Sequence, residues 1–229
     1  KWQGAGFYND HSKIRVRILS TNTNDRFDDA YWRRKLQWAV DYRKTVMGAD
    51  FRCCRLIFGE ADGFPGLTVD RFEDVLAVQI LCLGTDLRKS KLLTTLVDIL
   101  REMGETINVV YERSDTGIRE KEGLPQTTGY FLGNGSGHVQ ITENGVAYDV
   151  DYINGQKTGF FLDQKYNRAA VAKLTPGKKV LDCFTHTGAF GLNCAKAGAA
   201  HVTSVDVSET ALETARHNAE LNGLTNIDF

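Results

Sequence analysis

The sequence predicts a mixed fold in more than one domain, α+β over its first two thirds and α/β over its last third. Three observations carry this. Residues 179–207, KVLDCFTHTGAFGLNCAKAGAAHVTSVDV, read as strand, tight turn, helix, strand. Residues 55–83 and 138–152 read as antiparallel strands, the second pair turning at Asn144-Gly145, a strong hairpin signal. Between them, Leu92, Leu93, Leu96, Ile99 and Leu100 form the apolar stripe of an amphipathic helix.

Composition sets the bounds. A chain of 229 residues is expected to hold one to two domains. With 42% hydrophobic and 25% charged residues it has the balance of a soluble globular protein. No apolar run approaches the ~20 residues of a membrane span, and no charged-apolar-small leader opens the chain. The expectation is therefore a cytoplasmic protein without a membrane partner. Five cysteines, Cys53, Cys54, Cys82, Cys183 and Cys194, are odd in number and lack C-x-x-C spacing. They predict reduced thiols, with neither a disulfide framework nor a metal site. The chain opens on Lys1 and closes on Asn226-Ile227-Asp228-Phe229, which reads as a strand just starting; both ends are expected to be cuts in a longer protein. The net charge of −1 hides an asymmetry, because residues 1–60 carry 12 Lys/Arg against 7 Asp/Glu. That basic end suggests a polyanionic partner.

In chain order, Gly4 to Asn9 is a turn-rich lead-in. Residues 13–19, KIRVRIL, alternate, so Ile14, Val16 and Ile18 are expected to be buried. Lys13, Arg15 and Arg17 would then form a basic outer stripe able to meet phosphates. A helix is expected from Asn24 or Asp25 to Met47, ended by Gly48. Arg33, Arg34, Lys35, Arg43 and Lys44 interleave there with Phe27, Tyr31, Trp38 and Tyr42. Such aromatics can stack on RNA, but their helical spacing places them in the core. Strands at 67–69 and 75–83, a helix over 87–103 closed by Gly104 and a strand over 107–111 follow. Residues 112–137 read as a long Gly-rich, charged connection. Arg113 and Arg119 could reach RNA from it, while the carboxylates among them leave that reading undecided. After the 138–152 hairpin, a short helix over 167–174 and the Pro176-Gly177 turn lead into the strand-helix-strand unit. Ser208 caps a last helix running to Leu221, with Ala211, Ala215 and Ala219 on one face.

That unit predicts two parallel strands joined by a right-handed crossover. Ligands of such sheets bind outside the carboxyl ends of the strands, where Asp182 and Asp206 fall. An acid ending the second strand is placed to accept hydrogen bonds from ribose hydroxyls. The turn offers Gly188-x-x-Gly191 in place of the dinucleotide pattern G-x-G-x-x-G, so a pyrophosphate cradle is poorly supported. A nucleoside without phosphates fits better, and S-adenosylmethionine (SAM) is one. The bland alternative is a generic crossover whose acids cap helices.

The blocks GQKTGFFLDQ (155–164), VLDCFTHTGAFG (180–191) and SVDVS (204–208) resemble class I SAM-dependent methyltransferases. Together with GFYN-x-x-S-x-IRVRILS (6–20), EADGFPGLTVDR (60–71) and YERSD (111–115), they resemble the bacterial large-subunit ribosomal RNA family that methylates cytosine at carbon 5. The resemblance covers nearly the whole chain. It implies an RNA-binding PUA domain, a central α+β domain of the EEHEAD type and a Rossmann-like catalytic domain. On this chain these become a PUA remnant at 1–24, a linker helix and central domain at 25–153, and the first part of the methyltransferase sheet at 154–229. By the same resemblance Asp182, Phe184 and Gly188 belong to the turn that holds the methionine end of SAM. Asp206 takes the ribose and Val207 lies beside the adenine. Lys157, Thr158, Gly159 and Phe160 cover the cofactor. Large-subunit ribosomal RNA is the implied partner, with Lys13, Arg15, Arg17, Arg33 and Arg34 as the candidate contacts; a homodimer is left open.

The family activates carbon 5 by adding a Cys thiolate to carbon 6. The resemblance puts that Cys, and an acidic loop, beyond Phe229, so no catalytic residue is assigned here. Cys183 would sit in the cofactor turn and Cys194 inside a crossover helix. With two strands and the start of a third, the chain is expected to bind SAM weakly or not at all. Guanine-N7 methylation, which needs no cysteine, is the closest alternative activity. A non-catalytic RNA-binding module is the alternative from another class, and a nicotinamide-dependent oxidoreductase is disfavoured by the missing glycine pattern.

Overall fold

A five-stranded sheet organises the first part of the chain. The computed structural model describes residues 1–229, which fall into two compact units. Unit 1 holds Lys1–Gly137 and Tyr152–Gly159; unit 2 holds His138–Asp151 and Phe160–Phe229. These units do not break at 24/25 or at 153/154.

Unit 1 opens with β1 (Ala5–Tyr8) paired antiparallel to β2 (Val16–Ser20). Helix α1 (Asp29–Met47) follows, then β3 (Cys53–Phe58), β4 (Leu67–Phe72) and β5 (Val75–Ile80). After the short α2 (Leu83–Asp86) and α3 (Lys89–Glu102) come β6 (Val109–Ser114) and β7 (Thr127–Leu132). The sheet order is β3-β4-β5-β6-β7. Only the β5–β6 pair is parallel, because the helical crossover α2–α3 must return the chain in the same direction. Tyr31, Trp32, Leu36, Ala39 and Val40 of α1 and the predicted leucine stripe of α3 are buried. They close one core with Leu56, Val69, Leu76 and Val78 of the sheet.

Several expectations are corrected here. Helix α1 starts at Asp29, not at Asn24 or Asp25, because Asp28 caps it by accepting from the Tyr31 amide at 2.9 Å. Trp38 and Tyr42 are 58% and 59% exposed. The helix buries the face led by Trp32, Leu36, Ala39 and Val40, and the Trp38–Tyr42 stripe falls outside it. The strand expected at 13–19 runs only over Val16–Ser20 and buries the opposite face: Ile14, Val16 and Ile18 are exposed and Arg17 turns inward. The cause is Glu122, a buried carboxylate that draws in Arg17 (2.7 Å), Ser12 (2.5 Å) and Asn9 (3.1 Å). Phe7 and Leu19 supply the apolar anchors. Phe7 lies against Gly84 so closely that a Cβ there would fall 2.1 Å from its ring.

The long connection at 112–137 also contains structure. β6 runs on to Ser114, and β7 pairs with it antiparallel. Tyr111 and Tyr130 pack edge to face across the two strands at 4.9 Å. Arg113 and Arg119 are buried and used internally. Arg119 donates to the carbonyls of Ile80 (2.7 Å) and Pro125 (2.6 Å) and to Asp86 (3.0 Å). Arg113 donates to the Gly155 carbonyl at 2.9 Å. Neither is available to RNA.

Unit 2 begins with the predicted hairpin, β8 (His138–Glu143) and β9 (Val146–Asp151). Asn144 (φ 53°) and Gly145 (φ 77°) both take the left-handed conformation that a two-residue hairpin turn requires. α4 (Lys165–Ala172), β10 (Lys179–Cys183), α5 (Ala189–Lys196), β11 (His201–Val205), α6 (Glu209–Leu221) and β12 (Ile227–Asp228) complete it. β10, β11 and β12 form a wholly parallel sheet, as the crossover reading expects. The hairpin joins this unit through α6. Asn222 receives the Ala147 amide (2.9 Å) and donates to its carbonyl (2.7 Å), and Asn218 receives the Asp149 amide (2.8 Å). No helix is long and apolar enough to cross a membrane.

Candidate cofactor site

The site is built from the ends of two strands. Pairing Asp182 with Ser204 and Cys183 with Val205 brings the carboxyl ends of β10 and β11 level. Helix α5 leaves the sheet at once and lies hard on β11. A Cβ on Gly191 would meet the Ser204 hydroxyl at 2.4 Å, so only glycine allows that approach.

Between β10 and α5 the chain turns through three left-handed residues, Phe184 (φ 61°), His186 (φ 52°) and Gly188 (φ 83°). Two of them are not glycine, a strained arrangement that neighbouring groups must hold in place. Asp182 and Asp206 do this. Asp182 accepts from the Thr185 hydroxyl (2.5 Å) and the Gly191 amide (2.9 Å), fixing the turn to the start of α5. Asp206 accepts from the His186 amide (2.9 Å) with one oxygen and from the Ser208 amide (3.0 Å) with the other. These amides, Ser208 first, hold the Asp206 carboxyl below its ordinary range, so it stays charged. Burial lowers the pKa of the His186 imidazole, although Asp206 opposes the effect, so the ring stays neutral at neutral pH.

The turn's own amides decide the ligand chemistry. Thr185 donates to the Val205 carbonyl (3.0 Å), His186 to Asp206, and Gly188 to the Thr185 carbonyl (3.0 Å). With these three donors consumed, the turn is not the open nest of amides that binds a pyrophosphate. It presents instead a fixed carboxylate flanked by Phe184 and Val207, 87% and 99% exposed. Acceptor oxygens beside uncovered apolar side chains fit a ribose and a base. That arrangement suits the nucleoside part of SAM.

Comparison with known proteins agrees. The family described as S-adenosylmethionine-dependent methyltransferase matches residues 108–228. The chain belongs to this family. Its cofactor is SAM. Curated relatives named ribosomal RNA large subunit methyltransferase I include those of Aliivibrio fischeri strain ES114 and Shewanella amazonensis, each 41% identical. The first alignment covers 97% of this chain and 55% of the relative, the second 98% and 56%. The chain thus spans about half the length of the curated relatives it matches. A putative SAM-dependent methyltransferase from Streptococcus mutans superposes with a TM-score of 0.82 at 23% identity, over 98% of this chain and 57% of that one. So does a putative methyltransferase crystallised in complex with SAH, with the same coverage. At that identity the two show a shared fold.

The remaining expected site residues divide between the units. In unit 2, Phe160 is buried under the Arg168 guanidinium, 4.8 Å from its ring centroid. Arg168 grips Glu143 through two bonds (2.7 and 2.8 Å) and also holds the Phe161 carbonyl (2.9 Å). Phe161 packs edge-on against His186 at 5.6 Å, which ties this stretch to the turn. In unit 1, Thr158 is buried and donates to Asp70 at 2.6 Å. Lys157 is exposed in a left-handed conformation (φ 58°), and the Gly159 amide donates to the Gln156 carbonyl. Of the basic candidates, Lys13 and Arg15 are exposed. Arg17 pairs with Glu122, Arg33 with Glu102 and Arg34 with Asp25.

Sequence reasoning missed Thr185 and His186, which lock the turn through hydrogen bonds that no spacing rule announces. It also missed the Arg168–Glu143 pair, whose members are 25 residues apart on different elements.

Proposed function

We propose that this methyltransferase acts on large-subunit ribosomal RNA and methylates cytosine at carbon 5. The observation that carries the methyl-donor site is Asp206, held between the turn and α6 with its charge preserved. Asp206 accepts the ribose hydroxyls, while Phe184 and Val207 flank the adenine. Gly188 and Asp182 shape the turn for the methionine end. When bound, SAM supplies an electrophilic methyl group on a sulfonium. The names of the curated relatives support an RNA substrate, and the resemblance of residues 1–24 to the last part of a PUA domain supports RNA contact at that end.

Within residues 1–229 no thiol is assigned as the nucleophile. Cys53, Cys54, Cys82 and Cys194 are buried. Burial pushes the Cys194 thiol up, keeping it protonated and unreactive at neutral pH. Cys183 is exposed but lies at the strand end where the cofactor binds.

Two measurements test this reading. Incubating the native protein with methyl-tritiated SAM and naked ribosomal RNA, then digesting to nucleosides, should place the label in 5-methylcytidine. Label in 7-methylguanosine would reassign the base, and no label in RNA would remove the substrate. Asp206→Asn should weaken SAM binding about 10- to 100-fold, the loss of charge-assisted hydrogen bonds, read by saturation-transfer NMR. Unchanged binding would detach Asp206 from the ribose.

A further inference from the structure

We propose that the exposed face of α1 is a stacking platform for single-stranded RNA, separate from the cofactor site and built on Trp38, Tyr42 and Lys35. The proposal rests on the RNA reading above and gives that RNA a place on the protein.

The geometry starts from the two aromatics that the core leaves out. Trp38 and Tyr42 are one turn apart on the same side of α1, and each is more than half exposed. At ~1.5 Å per residue the spacing along the axis is about 6 Å, a step that two successive unstacked nucleotides can match. A large exposed aromatic ring is a sequence-tolerant seat for a base. Cations surround both rings. The Arg34 guanidinium lies 5.6 Å and the Lys35 ammonium 5.8 Å from the Trp38 centroid, and the Arg43 guanidinium 5.0 Å from that of Tyr42. α1 carries five basic and two acidic residues.

Beside Trp38 the surface opens into a cleft of about 670 Å³, lined among others by Ile18, Ser20, Asn22, Lys35 and Gly63. Two carboxylates also line it, Asp25 held in a local network and Glu60 exposed with a longer contact to Arg17. Asp25 receives the Ser20 hydroxyl (2.6 Å) and Arg34 (3.3 Å), and Glu60 pairs with Arg17 (3.4 Å). Lys35 has no carboxylate within ion-pair distance. Its ammonium lies beside Gly63, within 2.7 Å of where a Cβ on that residue would fall. A cation with no carboxylate partner, beside an exposed indole and a cleft of nucleotide size, is complementary to a phosphate joined to a base. Duplex RNA offers neither an unstacked base nor a face for Trp38.

The test is fluorescence anisotropy of the 229-residue chain with an end-labelled twelve-nucleotide single-stranded RNA, repeated with the same strand annealed to its complement. The single strand should bind in preference to the duplex. Trp38→Ala should weaken single-strand binding about tenfold or more, Trp38→Phe should restore most of it, and Lys35→Gln should flatten the dependence of log affinity on log salt. These side chains are exposed or half-buried, and an unchanged urea midpoint confirms that each variant folds. Equal binding of wild type and Trp38→Ala, equal binding of duplex, absence of single-strand binding, or equal competition by polyglutamate would each overturn the platform. Polyglutamate competition would indicate an acidic protein partner instead. Methyl transfer to RNA that persists with any of these outcomes leaves the functional reading standing without this platform.

Discussion

Glu122 shows how one buried carboxylate can overrule a strand pattern. Alternation along residues 13–19 is visible in the sequence, but it does not say which face turns inward. The structure answers through charge: Asn9, Ser12 and Arg17 all converge on Glu122 from more than 100 residues away. Burial alone would raise the Glu122 pKa, but the bonds from Ser12, Arg17 and Asn9 outweigh it, and the net shift is downward. A depressed carboxylate contributes stability that is fully present above its ordinary value of 4.5 and lost as pH falls through the lower folded-state value. Glu122→Gln should therefore lower stability by about 2 kcal/mol at pH 7. Urea midpoints of variant and wild type should converge as the solution is taken below about pH 4. A gap that stays constant with pH would show that the charge is not what holds β1 and β2.

Among the elements, α6 bears most directly on where one folding unit ends. Its alanine face at 211, 215 and 219 was legible, and all three are buried. Its amide face was not, because Asn218 and Asn222 read as ordinary helix-end residues. They hydrogen-bond the backbone edge of β9, which draws the hairpin into unit 2 although it precedes the 152–159 stretch of unit 1. Asn222→Leu should leave the Ala147 amide and carbonyl without partners and cost about 2 kcal/mol. Hydrogen exchange at Ala147 should quicken while the amides of β4 and β5 keep their protection. Equal loss of protection in both units would mean that the chain unfolds as one. α1 teaches the converse lesson. Periodicity located the helix and its Gly48 end, but with aromatics on more than one face it could not say which would be buried.

For the chain as a whole, the unit 2 sheet is unevenly covered. Val202 and Ser204 of β11 are buried against α5, while Leu181, Cys183 and Val205 on the opposite face are exposed, Leu181 to 66%. Parallel sheets are stable with both faces covered, and an apolar face of this kind promotes association. The 229-residue chain should self-associate with rising concentration in sedimentation velocity. Leu181→Thr combined with Val205→Thr should reduce that association without lowering the urea midpoint by more than about 1 kcal/mol. A double variant that still associates would place the contact elsewhere.

By itself the sequence determined the parallel crossover, its two terminal carboxylates, the Asn144-Gly145 hairpin and the leucine stripe of α3. Each follows from rules that act within a few turns of chain: side-chain period, turn chemistry and helix stops. The tertiary structure decided what those rules cannot reach. It set which face of β2 is buried, which α1 aromatics remain in water, and that β7 is a strand. It also showed that the Thr185, His186 and Gly188 amides of the turn are consumed internally, because burial, charge pairing and hydrogen-bond satisfaction depend on partners that the chain brings together only when it folds.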